Sequence, residues 1–137
     1  MNSHSGGCLC GSVRYGVDGE LRQVIACHCE QCRRSSGHFV AATATRRDRF
    51  RLLNADTLRW YSAIPGYRRG FCAECGASLF FERIGEDRIS IAAGSLDDAR
   101  GLRIAAHLFV GEAGAYYEVD EHVENSLDGQ CSVIMPA

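Results

Sequence analysis

Three cysteines within six residues, Cys27, Cys29 and Cys32, are the side chains of this sequence best suited to chemistry. Thiolates this close in sequence can converge on one soft or borderline metal ion, and Zn²⁺ is the usual choice in proteins. Three protein ligands leave the fourth position of a tetrahedral zinc open, which distinguishes catalytic from structural zinc sites. We therefore predict a three-cysteine zinc that accepts a thiol as its fourth ligand.

The five residues after this triplet are candidates for binding the molecule that carries the thiol. Arg33 and Arg34 are suited to holding carboxylates through bidentate hydrogen bonds. Ser35, Ser36 and the backbone around Gly37 offer further donors. The alternative for the two arginines is a solvated helix face without a binding role.

A second set of cysteines predicts a closed site. Side chains alternate along an extended chain, so a Cys-x-Cys segment would present the sulfurs of Cys8 and Cys10 on one side. Cys72, Cys75 and the glycine that follows have the spacing of a zinc knuckle, in which the glycine permits a tight turn. The two half-sites together predict a structural four-cysteine zinc. Disulfides are the alternative, but cysteines so close in sequence bridge each other poorly.

Three further side chains, from two histidines and one cysteine, could bear on the fourth ligand position of the triplet's zinc or on proton transfer. We expect His28 to point away from the metal and to be packed or hydrogen-bonded. Cys131 and His107 are the protein groups that would complete a second structural site if no thiol binds there. His107 is also the candidate proton carrier, because imidazole titrates near neutral pH.

Composition favours one globular domain over residues 1–137. Hydrophobic residues make up 46% and charged residues 23%, and the formal net charge is −2. The absence of a basic run argues against nucleic acid or an acidic membrane surface as a partner. No signal peptide and no apolar run of about 18 residues is visible, so we expect a cytoplasmic protein, where a reducing environment favours metal over disulfides. The oligomeric state is left open.

Short alternating segments predict a mainly antiparallel β domain with few helical turns. A short helical turn is expected over 30–36, closed by Gly37. The segments 50–53 and 58–61 are expected to pair through the turn between them. The other predicted strands are 13–17, 21–26, 38–45, 88–93, 104–110 and 115–119.

Four motifs in this order resemble the family of glutathione-dependent formaldehyde-activating enzymes, whose domain is shared with centromere protein V. They are Gly-Cys-x-Cys-Gly at 7–11, Cys-x-Cys-x₂-Cys-Arg-Arg-x-x-Gly at 27–37, Phe-Cys-x₂-Cys-Gly at 71–76 and Gly-Ser-Leu-Asp-Asp at 94–98. The resemblance runs from residue 6 to about 118, within a domain core of about 6–124. It implies an Mss4-like fold of antiparallel sheets with two zinc ions per chain.

The resemblance also implies roles for the cysteines. Cys8, Cys10, Cys72 and Cys75 are expected to hold the structural zinc, and Cys27, Cys29 and Cys32 the catalytic one. The implied activity is a carbon–sulfur lyase that condenses formaldehyde with glutathione as co-substrate, so the expected partners are a small thiol and an aldehyde. The alternative is a non-catalytic zinc module that binds a protein or small-molecule partner.

Overall fold

A computed structural model describes residues 3–136, which form two β-sheets and one short α-helix, as the sequence predicts. The helix, α1, spans Glu30–Ser36. None of the helices in residues 3–136 has both the length and the hydropathy of a membrane-spanning segment. The strands are β1 Ser3–Gly7, β2 Arg14–Asp18, β3 Val24–Cys27, β4 Val40–Arg46, β5 Phe50–Asn54, β6 Leu58–Tyr61, β7 Tyr67–Cys72, β8 Ser78–Arg83, β9 Arg88–Ala92, β10 Ile104–Leu108 and β11 Glu124–Asn125.

The two sheets differ in size, and the large one contains two parallel strand pairs. The small sheet has the order β1-β2-β5, and the large one has the order β11-β10-β3-β4-β9-β8-β7-β6. Every neighbouring pair is antiparallel except those of β10, which runs parallel to both β3 and β11. The parallel pairing places Leu108 opposite Cys27, at the end of β3 where the cysteine triplet begins.

The main core contains side chains from both sheets. Val13, Tyr15 and Val17, which alternate along β2 and the residue before it, are completely buried. The Tyr15 ring meets Phe80 of the large sheet edge-on, with ring centroids 5.3 Å apart. The apolar alternation read from the sequence therefore identifies the inner face of the small sheet correctly.

Two predictions about strands are wrong. The segments at 50–53 and 58–61 are both extended but do not pair, because β5 joins β2 in the small sheet while β6 joins β7 in the large one. The segment 115–119 is a turn rather than a strand. Its aromatic residues Tyr116 and Tyr117 pack on histidine rings instead of on a sheet face.

A buried carboxylate on β8 gives a testable contribution to stability. Glu82 is 3% exposed and accepts hydrogen bonds from Arg47 and from Arg68 Nε, the latter at 2.6 Å. We expect Glu82→Gln to lower the free energy of unfolding in urea by about 1–3 kcal/mol, because charge-assisted bonds to a buried group are lost. The exposed pair of Asp18 with Arg51 is the control, and Asp18→Asn should cost less than about 1 kcal/mol. Equal costs for the two substitutions would contradict this difference.

Candidate metal centres and the cavity beside them

Four cysteine sulfurs from opposite parts of the chain form a compact cluster. The Sγ atoms of Cys8, Cys10, Cys72 and Cys75 all lie within 4.8 Å of one another. The sulfur–sulfur distance is 3.6 Å for Cys8 and Cys10 and 3.8 Å for Cys10 and Cys72. Tetrahedral zinc with bonds of about 2.3 Å requires sulfurs about 3.8 Å apart, so this donor set fits a closed four-cysteine site.

Two glycine turns build this cluster. The Gly11 N–H donates to the Cys8 carbonyl at 3.2 Å, and the Gly76 N–H donates to the Cys72 carbonyl at 2.8 Å. Both glycines have left-handed backbone angles, with φ of 82° and 77°, which other residues adopt only with strain. The sulfurs of Cys8 and Cys10 therefore converge because the chain turns at these residues. The prediction that they converge by alternation along an extended segment is wrong.

The surroundings of Cys72 favour its thiolate form. Its sulfur is completely buried and lies 3.3 Å from the hydroxyl oxygen of Thr57. That hydroxyl, followed by the backbone N–H of Cys75, lowers the pKa of Cys72 to about 6. Thr57 has no sequence signal for this role, because it reaches the cluster from the turn before β6.

The second cluster is the triplet at the junction of β3 and α1. Cys27 ends β3, Cys29 caps the helix, and Cys32 lies in its first turn. Their Sγ atoms lie within 4.8 Å of one another, and no other Cys, His, Asp or Glu of residues 3–136 joins the group at that distance. Cys29 Sγ accepts the Cys32 N–H at 3.4 Å, and Gly37, with φ of 85°, ends the helix as predicted. Local capping therefore brings the three donors together.

Arg69 of β7 supplies positive charge to the triplet. Its Nη2 donates to Cys32 Sγ at 3.7 Å, and its guanidinium stacks 4.8 Å from the centre of the Phe81 ring. A hydrogen bond from Cys27, together with the charge of Arg69, lowers the pKa of Cys32 to about 6. The pKa of Cys27 is raised, first by that same hydrogen bond to Cys32 and then by burial. The protein thus favours a thiolate at Cys32.

His28 lies between the first two cysteines of the triplet but joins a different network. It is 1% exposed; its Nδ1 lies 2.5 Å from the Tyr117 hydroxyl, and its Nε2 lies 2.8 Å from His107 Nδ1. Burial is the main cause that lowers the pKa of His28 to about 4, so the ring is neutral at pH 7. The expectation that His28 is packed and hydrogen-bonded is confirmed. His107 contacts His28 and is not in the mutual 4.8 Å group of the triplet, and its part in proton transfer stays a prediction.

The triplet faces a cavity of about 600 Å³. All three cysteines line it, together with apolar side chains of β3 and β4 and the segment 129–133 near the C-terminus. Cys131 is in that segment, but its sulfur is not within the mutual 4.8 Å of the triplet. Three arginines from separate strands or their ends also line it: Arg22, Arg69 and Arg88. None of the three was predicted from the sequence. Arg69 and Arg88 are distant from the triplet along the chain, whereas Arg22 lies five residues before Cys27, so its charge next to β3 was a usable signal.

The five residues predicted to bind the substrate lie outside this cavity. Arg33 and Arg34 are not among the residues that line the cavity, and Arg34 pairs with Glu30 one turn earlier on an exposed helix face. The Ser35 and Ser36 hydroxyls donate to the Cys32 carbonyl at 3.1 Å and 2.8 Å. Ser35 borders a smaller neighbouring cavity of about 200 Å³. Ser35, Ser36 and Gly37 therefore contribute to the end of the helix, and the binding role of the five residues stays a prediction.

This chain is similar to known proteins both in sequence and in fold. Residues 3–112 match the family model described as glutathione-dependent formaldehyde-activating enzyme. An uncharacterized lyase of Schizosaccharomyces pombe is 29% identical over 82 residues, covering 59% of this chain and 58% of that protein. The match therefore spans little more than half the length of that curated relative. A crystal structure of a Rhodobacter sphaeroides protein is similar with a TM-score of 0.57 and 25% identity, covering 72% of this chain and 90% of that one.

Proposed function

Because the chain belongs to the glutathione-dependent formaldehyde-activating enzyme family, we propose that it is a zinc-dependent carbon–sulfur lyase acting on a small aldehyde and a thiol such as glutathione. The similarity to a yeast protein named as a lyase supports a lyase in general. The observation that carries the proposal is the convergence of three cysteine sulfurs on the wall of a cavity large enough for a small molecule.

The reaction is an addition and its reversal. The thiol sulfur forms a bond to the aldehyde carbon, the carbonyl electrons move to oxygen, and that oxygen takes up the proton that the thiol has lost. With formaldehyde and glutathione the product is S-(hydroxymethyl)glutathione. In the reverse direction the carbon–sulfur bond breaks and the aldehyde is released.

The two clusters divide the metal-binding work in this proposal. Cys8, Cys10, Cys72 and Cys75 would hold a structural zinc, and Cys27, Cys29 and Cys32 would hold the second. Zinc bound to the triplet would lower the pKa of an incoming thiol, so that its thiolate is available at neutral pH.

Side chains around the triplet hold its sulfurs in position and offset their negative charge. Arg69 offsets the negative charge of the sulfurs through its contact with Cys32. The neutral ring of His28, held by Tyr117 and His107, fixes the backbone between Cys27 and Cys29. Both contacts hold the sulfurs in place before substrate enters.

The division into two metal sites predicts a definite stoichiometry. We expect elemental analysis of the purified protein to find two zinc ions per chain, because two separate donor sets fit the ion. Cys131→Ser, which alters a cysteine outside both clusters, should leave that number unchanged. A finding of one zinc or none would contradict the two-site proposal.

Cobalt substitution tests whether the second site takes a thiol. We expect glutathione at millimolar concentration to change the visible spectrum of the cobalt-loaded protein, because a new sulfur ligand alters the charge-transfer bands. S-methylglutathione, which has no free thiol, should leave the spectrum unchanged. A spectrum that glutathione does not alter would reject the lyase and favour a non-catalytic zinc module.

A further inference from the structure

Arg22, next to β3, has a buried side chain without an acidic partner in the described part of the chain. It is 6% exposed, and none of the ion pairs formed within residues 3–136 includes it. Its Nη2 donates to the Ala42 carbonyl at 2.9 Å, and its Nε donates to the Gln23 carbonyl at 3.2 Å. A guanidinium has five N–H donors, so donors remain for another group.

The position and charge of Arg22 are both fixed. Its backbone N–H donates to the Ala44 carbonyl at 3.1 Å, and its own carbonyl accepts the Thr43 hydroxyl at 2.5 Å. Burial, and after it repulsion from Arg88, lowers the pKa of Arg22 to about 10. The side chain therefore remains positively charged at pH 7.

The cavity that Arg22 lines carries an excess of positive charge. No Asp or Glu of residues 3–136 is among its lining residues, whereas three arginines are. Arg88 is offset by Glu86, with Nη2 and Oε1 2.7 Å apart, and Arg69 by its contact with Cys32. Of the three, Arg22 is the one whose charge no carboxylate or thiolate within residues 3–136 offsets by a contact.

We propose that Arg22 binds a carboxylate of the thiol substrate, so that this cavity selects anionic thiols over neutral ones. Sulfur donors, and a guanidinium that has no acidic partner in the described part of the chain, lie on the wall of one cavity and match a molecule with a thiol and a carboxylate. Arginine presents its donors in a planar fork that fits a carboxylate in bidentate fashion. This inference rests on the proposed function, because it names the class of thiol that the triplet receives.

Paired titrations of the cobalt-loaded protein test the inference with glutathione and glutathione diethyl ester, which lacks both carboxylate charges. We expect the wild-type protein to bind glutathione about 10- to 100-fold more tightly than the diester, since bonds to a charged group are strengthened. Arg22→Gln should reduce this ratio to about one by weakening glutathione binding. Arg46→Gln, which alters an exposed arginine outside the cavity, is the matched control and should keep the wild-type ratio.

The outcomes distinguish a failure of the role of Arg22 from a failure of the proposed function. If both thiols change the spectrum with equal affinity, or if Arg22→Gln keeps the wild-type ratio, the role of Arg22 is rejected and the thiol site stands. If neither thiol changes the wild-type spectrum, the proposed function itself fails. Should Arg22→Gln misfold, Arg22→Met removes the charge but keeps an apolar stem of similar length, and an unchanged ratio there would also overturn the inference.

Discussion

Replacing Cys72 with serine should leave the chain largely unfolded. Its sulfur is completely buried and joins residues 8–10 to residues 72–75, so the cluster ties the small sheet to the large one. A structural zinc contributes about 10–16 kcal/mol of apparent binding free energy to folding. The whole stability of a domain is only about 5–15 kcal/mol. Loss of one ligand is therefore expected to remove most of the folded population.

Far-ultraviolet circular dichroism and zinc content measure this effect together. We expect Cys72→Ser to lose most of the β-sheet signal at 25 °C and to bind less than one zinc per chain. Cys131→Ser should keep the wild-type spectrum, because this cysteine belongs to neither cluster. A Cys72→Ser protein that melts within a few degrees of the wild type would contradict the structural role of the cluster.

Replacing Cys32 with serine should have the opposite effect to replacing Cys72: the fold should be preserved and the proposed lyase activity lost. The triplet links residues only five positions apart at most, so breaking it releases little chain. We expect the rate of exchange between formaldehyde and S-(hydroxymethyl)glutathione, measured by nuclear magnetic resonance, to fall more than about 100-fold toward the uncatalysed rate. The zinc content should fall from two to about one.

The contrast between the two substitutions is the informative result. Both cysteines are buried, with exposures of 0% for Cys72 and 7% for Cys32, so burial does not distinguish them. If Cys32→Ser also unfolds the chain, the triplet has a structural role. If it keeps full exchange activity, the triplet is not the reactive centre.

Local sequence predicted the features of the site that depend on local geometry. The spacing of Cys27, Cys29 and Cys32 already implies convergence, and the helical turn predicted over 30–36 is α1, which ends at Gly37 as expected. The fold class is likewise confirmed, because alternating apolar residues such as Val13 and Tyr15 mark a sheet face.

Features that depend on long-range pairing could not be predicted in the same way. The turn between β5 and β6 looks like a hairpin turn, yet the two strands join different sheets. Arg33 and Arg34 follow the triplet in sequence, but the helix directs Arg34 toward Glu30. Arg69 and Arg88 reach the cavity from positions remote in sequence, and only the packing of the strands brings them there. Arg22 lies five residues before Cys27, but its burial beside the cavity depends on contacts with β4.

A crystal structure of the zinc-loaded protein with glutathione tests the central claim most directly. The measurement is the distance from the metal held by Cys27, Cys29 and Cys32 to the sulfur of glutathione. We predict a fourth bond of about 2.3 Å to that sulfur. A fourth position filled by a protein atom, such as Cys131 Sγ or a ring nitrogen of His107, with glutathione absent from the metal, would contradict the claim.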